Sequence, residues 1–307
     1  MKVRRLSYKG WKNCYQISNR ILELLVTADV GPRIISFGFK GGTNVFWVNK
    51  KFLGKSRSKQ WTHYGGHRLW HAPESMPRTY SPDNMPVKVE KSKNLIRFIQ
   101  SVEKDTGIQK EIAIKLSNDE NPAEVKIIHR LRNTNSWPIE LAPWALSVMG
   151  PGGKAIIPLP PRGSHSNPDN LLPVNLIALW PYTNMQDPRW SWGKRYIMLQ
   201  QDGTQSEPQK VGVGVKDGWI AYANHGHLFV KKFYYDQEAR YPDFGCPVET
   251  FTNADMLEVE TLGPLAYLKP GSCAEHQERW FLFKNVPVPL DDNDVDQYIL
   301  PKIHSVE

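Results

Sequence analysis

The sequence predicts an all-β fold, a sandwich or barrel of short strands. Three observations carry this. Apolar and polar residues alternate with period two in one segment after another. Glycine and proline, 22 and 24 of the 307 residues, punctuate those segments. Helical periodicity is nearly absent; short helical turns are expected only near 50–53 and 295–300.

Taken in order, 14–17, 21–27 and 33–38 read as strands separated by turn residues. Residues 95–103 and 108–116 form an expected hairpin bent at Asp105-Thr106-Gly107. In 124–133 the alternation is clean. Val125, Ile127, His129 and Leu131 share one face; Lys126, Ile128, Arg130 and Arg132 share the other. Asn133-Thr134-Asn135-Ser136 is turn-like and leads into a strand at 137–149. Further strands are expected at 210–215, 219–224, 228–235, 248–252, 256–262 and 274–283. The proline-rich stretch 151–192 reads as a loop belt decorating one domain. No composition break divides the chain, so 1–307 is expected to be a single β domain.

With 40% apolar residues the chain can bury a sizeable core, and a mean hydropathy of -0.50 favours a soluble protein. No apolar run approaches the roughly 18 residues of a membrane span, and no apolar segment follows the basic start. Neither a membrane partner nor a signal peptide is expected. Cys14, Cys246 and Cys273 are odd in number, far apart and outside any C-x-x-C pattern, which fits a reduced, cytoplasmic compartment. Charge is uneven. Residues 1–60 hold thirteen Lys or Arg against Glu23 and Asp29, a local balance of +11 against +8 for the whole chain. The densest run, Lys50 to Lys59, reads as a solvated loop or a site for an anionic sugar. No zinc-finger, helix-turn-helix or RNP pattern accompanies it, so no nucleic-acid partner is expected. Dinucleotide, phosphate-loop and nucleophile-elbow motifs are absent, and no cofactor is expected.

Candidate chemical groups cluster in three places. Tyr64-Gly65-Gly66-His67-Arg68-Leu69-Trp70-His71 is a glycine-rich stretch in which His67 and His71 could exchange protons near neutral pH, or simply hydrogen-bond backbone. Their i, i+4 spacing suits zinc on a helix, but Gly65-Gly66 and Pro73 argue against a helix, so no metal is expected. Arg68 and Arg78 could grip hydroxyls or a carboxylate, or form ordinary ion pairs. In Phe229-Val230-Lys231-Lys232-Phe233, alternation sends one lysine to the packed side, and Lys231 could meet an acidic ligand. Trp70, Trp144, Trp180 and Trp192 could stack on sugar C–H faces or pack the core, Trp144 most readily the core. Glu258 and Glu260 alternate with Leu257 and Val259, so both point away from the apolar side, ion-paired or exposed.

The last third runs Gly245-Cys246-Pro247-Val248-Glu249-Thr250, then 256–265, Lys269-Pro270-Gly271 and Glu278-Arg279-Trp280-Phe281-Leu282-Phe283. It resembles the C-terminal strands of the galactose mutarotase-like (aldose 1-epimerase) superfamily. Val30-Gly31-Pro32-Arg33-Ile34-Ile35-Ser36 and the Gly65-Gly66 loop resemble that superfamily's opening strands and pocket loop. The resemblance covers about half the chain and points to an uncharacterised branch.

It implies a β-supersandwich of two large, mostly antiparallel sheets, a small-molecule carbohydrate bound on a concave face, and Glu249 as general base. Asp243, shortly before that strand, is expected near the site. The superfamily's acid histidine is missing: Trp144 or Ala145 stands in the matching region, which leaves His67 or His71 as a replacement acid. The expected function is therefore an aldose 1-epimerase-like isomerase acting on a mono- or short saccharide, for which the basic first sixty residues leave an anionic sugar open. A non-catalytic carbohydrate-binding domain and an oligosaccharide lyase or hydrolase are the alternatives. The sequence leaves the oligomeric state open.

Overall fold

The computed structural model describes residues 1–120 and 123–306. Its strands are β1 (Lys2–Tyr8), β2 (Trp11–Ser18), β3 (Leu22–Thr27), β4 (Arg33–Phe39), β5 (His67–Ala72), β6 (Lys88–Lys91) and β7 (Ile96–Ile99). They continue as β8 (Ile108–Glu120), β9 (Ala123–Asn133), β10 (Ile139–Met149), β11 (Lys154–Pro158), β12 (Ile177–Leu179), β13 (Trp190–Trp192) and β14 (Tyr196–Gln200). The last are β15 (Gln209–Val213), β16 (Trp219–Asn224), β17 (His227–Phe233), β18 (Val248–Thr252), β19 (Leu257–Leu262), β20 (Ala266–Leu268) and β21 (Cys273–Lys284).

These strands form two large sheets. One has eleven strands, in the order β1-β2-β3-β4-β5-β10-β19-β18-β15-β12 with β20 beside β10. The other has ten, in the order β13-β14-β11-β16-β17-β21-β9-β8-β7-β6. The strand pairings within them are antiparallel, as the all-β supersandwich expectation requires. Alternation decides which residues fill the space between the sheets. Val125, Ile127 and Leu131 of β9 enter the main core, with Val211, Val213, Val248 and Val259 of the facing sheet. Phe37, Phe46, Phe229 and Trp280 meet there with ring centroids 5.4–6.1 Å apart.

The outer face of the ten-stranded sheet is covered by the C-terminal segment. Asp291 caps a short helix, Asp292–Asp294, by accepting from the Asn293 and Asp294 backbone N–H groups. Val295, Ile299 and Ile303 then lie in one apolar cluster with Ile156, Leu228 and Val230.

Three expectations need correcting. The glycine-rich stretch around His67 is not a loop beyond Gly66: it is strand β5, with all six residues buried. The belt 151–192 contributes β11, β12 and β13 to the two sheets. The first arm of the 95–116 hairpin is regular strand only over Ile96–Ile99, although Gln100 and Glu103 still donate backbone N–H groups to the Lys110 and Ile108 carbonyls.

Candidate active site

Register across the eleven-stranded sheet fixes which side chains share a face. Arg68 stands opposite Leu146, Leu146 opposite Glu260, and Glu260 opposite Glu249. Directly paired residues point the same way, so these four form one row across β5, β10, β19 and β18. Trp70 opposite Trp144, and Lys210 opposite Phe251, belong to the same face. The next row, His67-Ser147-Val259-Thr250-Val211, faces the opposite way, into the core between the sheets.

On the outer face, Lys210 Nζ lies 2.7 Å from Glu249 Oε2 and 3.8 Å from Glu260 Oε2. The ammonium sits over the rings of Trp144 and Trp180, 4.5 and 4.4 Å from their centroids. Trp144 Nε1 donates to Glu260 Oε2 at 2.7 Å. Glu249 and Glu260 are both fully buried. Trp180 comes from the belt and can lie here because Gly212 faces it: a Cβ on Gly212 would stand 3.4 Å from the indole and 2.7 Å from Cys246 Sγ.

One ammonium is thus shared by two buried carboxyls. Burial pushes Glu249 well above the usual carboxylate range, against the pull of Lys210; Glu260 and Asp243 push it further. Burial likewise raises Glu260, to about 7, opposed by Lys210 and by the Trp144 hydrogen bond. Burial works against the Lys210 ammonium, but the two glutamates outweigh it and raise its pKa. The lysine is therefore charged, and the two carboxyls titrate as a pair that retains a proton near neutral pH.

A second assembly adjoins it. Arg68 Nη1 donates to Glu258 Oε1 at 2.9 Å, and His63 Nε2 lies 3.7 Å from the same oxygen. Burial raises Glu258, but Arg68 and His63 overcome it and hold the carboxyl down at about 2. Two acids on one strand face, two residues apart, are thus set to different states by the cations beside them. Trp70 packs between Trp61 and Trp144 at 5.3 and 5.4 Å, with Tyr80 at 5.0 Å. The Nε1 atoms of Trp61 and Trp70 and Oε1 of Glu260 are buried without a hydrogen-bond partner among the described residues.

Of the residues singled out in the sequence, the structure brings Glu249, Arg68, Trp70, Trp180 and Asp243 to this face. It does not bring His67, His71, Lys231, Arg78 or Trp192. His67 lies between the sheets, with Nδ1 2.8 Å from Ser147 Oγ and Nε2 2.7 Å from His129 Nε2. His129 Nδ1 is 3.1 Å from the His276 carbonyl, so one tautomer set satisfies the chain: Ser147 O–H to His67, His67 N–H to His129, His129 N–H to His276. Burial, then Lys231, holds His67 well below the usual histidine range. Its position on the opposite face from Glu249 rules out proton transfer to a common ligand.

Lys231 belongs to the same interior network, 2.8 Å from Glu278 and donating to the Ala145 carbonyl at 3.0 Å. His71 pairs with Glu103 at 3.3 Å and with Arg78 Nη1 at 3.2 Å; Lys110 lies 2.6 Å from Glu103. Trp192 stacks on Trp190 at 5.0 Å and donates to the Met185 carbonyl. Atoms of His67, His129 and Glu278 that could ligate a metal lie within 4.8 Å of one another. The two imidazoles are already bonded to each other, and the Lys231 ammonium on Glu278 opposes a second cation.

Sequence reasoning missed Lys210 as the centre of the site, along with His63 and Trp61. A signal for Lys210 existed: Val211 and Val213 fix the core face of β15, which leaves Lys210 beside Gly212 on the other.

No family model and no curated protein matches the sequence. Solved structures do match in shape. A candidate aldose 1-epimerase from Klebsiella pneumoniae superposes with a TM-score of 0.61 at 12% identity, over 99% of this chain and 87% of that one. A galactose mutarotase-like protein from Lactobacillus casei gives 0.57 at 11% identity, over 88% and 100%. Another from Clostridium acetobutylicum gives 0.55 at 10% identity, over 92% and 98%.

The fold is that of the galactose mutarotase-like proteins. Within that mutarotase-like fold, the residues argued above stand on this chain's own geometry, because identities near one in ten carry over architecture alone.

Proposed function

We propose that this protein is a carbohydrate-active enzyme of the aldose 1-epimerase type, with the Glu249–Lys210–Glu260 cluster as its proton-exchange centre. The observation that carries the reading is the pair of buried carboxyls sharing one ammonium beside Trp144 and Trp180. Anomer exchange needs a base for the anomeric hydroxyl and an acid for the ring oxygen, both working near pH 7.

In the arrangement that leaves the shared proton on Glu260, which stands farther from Lys210, Glu249 is the carboxylate and takes the anomeric proton. The ring oxygen receives a proton from the protonated partner of the pair as the C1–O5 bond breaks to the open-chain aldehyde. Rotation about C1–C2 and the reverse transfers close the other anomer and restore the starting protonation. A carboxyl with its pKa raised to about 7 can serve as the acid that the superfamily's missing histidine would supply. Trp61 and Trp70, with N–H groups unpartnered among the described residues and rings packed at a tilt, suit a ligand that is apolar on its faces and hydroxylated at its rim. Arg68 and Lys210 are balanced by Glu258 and one charge on the carboxyl pair, which favours a neutral sugar over an anionic one.

The test is NMR exchange between anomers over a panel of neutral aldoses and uronates. Wild type is expected to accelerate exchange of at least one neutral sugar. Glu249→Gln is expected to slow it by about 10²–10⁴-fold, the usual size of a lost acid–base group. Absence of acceleration for every sugar overturns the enzymatic reading. Sugar binding that persists in Glu249→Gln, with no wild-type turnover, would make the chain a binding module.

A further inference from the structure

A cavity of about 630 Å³ opens away from the Glu249 cluster, where β10 gives way to Gly150 and Pro151. Its floor is aromatic: Phe46, Tyr222 and Phe229 are buried there, and Phe46 meets Phe229 edge to face at 5.9 Å. Its rim carries three lysines, Lys9, Lys50 and Lys51, with His225 and His227 beside them, and no aspartate or glutamate lines it. Among the described residues, none of the three lysines has a carboxylate within 4.0 Å.

Asn44, Asn224 and the Tyr222 hydroxyl are committed to holding the walls, while Thr43, Asn49 and Trp47 also line the cavity. Asn44 Oδ1 accepts from the Phe37 and Phe46 backbone N–H groups, and its Nδ2 donates to the Ile35 carbonyl. Asn224 Nδ2 donates to the Gly150 and Pro151 carbonyls, and Tyr222 O–H donates to Gly150. The features that set this cavity apart are the lysines at its rim and the flat apolar surface of its floor. A neutral sugar would leave the charge of the lysines unmatched, and a bare inorganic anion would leave the floor unused.

We infer that this cavity binds a small organic anion: one carboxylate, sulfonate or phosphate ester on a flat apolar body. Lys50 and Lys51, which open the basic run, then serve this site and not the carbohydrate face, where charge is balanced. The volume lies within the range of small-molecule pockets, roughly 300–1,000 Å³. Single-sign charge around a low-dielectric wall concentrates counter-ions there.

The test uses 8-anilinonaphthalene-1-sulfonate as the anionic probe and N-phenyl-1-naphthylamine as its uncharged analogue, titrated by fluorescence. The expected result is saturable one-to-one binding of the sulfonate by folded wild type, weakening as salt is raised. Lys50 and Lys51 are exposed, so Lys50→Glu with Lys51→Glu should fold normally. The pair should weaken sulfonate binding at least tenfold and shift the uncharged analogue less than twofold. Glu249→Gln should bind the sulfonate as wild type does. Failure to saturate, a charge reversal without effect, equal weakening of both probes, or loss in Glu249→Gln would each overturn the inference.

Discussion

The two faces of strand β5 carry opposite kinds of chemistry. On the inner face His67 sits in a hydrogen-bonded chain with no donor left over, beside the Lys231–Glu278 ion pair. One residue on, Arg68 and Trp70 face a cluster where two carboxyls contend for one lysine and two indole N–H groups lack partners. A buried polar network that is fully satisfied holds the sheets in register; one left partly unsatisfied is placed to receive something. The same strand therefore supplies a structural histidine and part of the candidate site, and alternation alone decides which is which.

Breaking the inner network has the largest expected effect. Lys231→Met leaves Glu278 buried without its cation and should destabilise the fold by about 3–5 kcal/mol, read as a lower denaturant midpoint. An unchanged midpoint would mean that the interior pair adds nothing.

The interior histidines and the Glu249–Glu260 pair should also respond to pH with opposite signs. Burial holds His129 at about 4 and His276 at about 3, so both are neutral in the fold. Their contribution is present above the ordinary histidine value of roughly 6.5 and is lost as pH falls toward those folded values. Glu278, held at about 2 by Lys231 and the neighbouring imidazoles against burial, adds loss below the ordinary carboxylate range. On the outer face Glu260 is raised to about 7. Its contribution is present below the ordinary value of roughly 4.3 and is lost as pH rises toward 7. In Glu260→Gln the decline of stability between about pH 5 and 7 should flatten, while the acid-side loss remains. Denaturant midpoints across pH give both slopes, and an unaltered neutral-side slope would refute the shared proton.

The smallest effect is expected where the belt meets the outer face. Trp180 is half-buried over Lys210. Trp180→Ala should cost about 1 kcal/mol or less, the scale of an exposed-to-intermediate cation–π contact, and should alter KM more than kcat in anomer exchange. A destabilisation comparable with Lys231→Met would make Trp180 core instead.

These contrasts also show what could be read without coordinates. Strands with one apolar face, such as β9 and β19, were legible because alternation survives wherever one side differs from the other. Thus the outward course of Glu258 and Glu260 followed from Leu257 and Val259. Strand β5 was not legible. Its two faces, His67-Leu69-His71 and Arg68-Trp70-Ala72, each mix polar with apolar residues, so no alternation contrast shows, and glycine before it with proline after it imitates a loop. Lys210 escaped notice because its role depends on partners 39 and 50 residues further along, joined only by strand register.

The central claim is that proton exchange belongs to the outer face and not to the histidines. Anomer-exchange rates of Glu249→Gln and His67→Asn at pH 7, each normalised to folded protein, test it most directly. The account predicts a loss of a hundredfold or more in Glu249→Gln and a rate within about threefold of wild type in His67→Asn. Equal losses in the two, or a loss confined to His67→Asn, would contradict it.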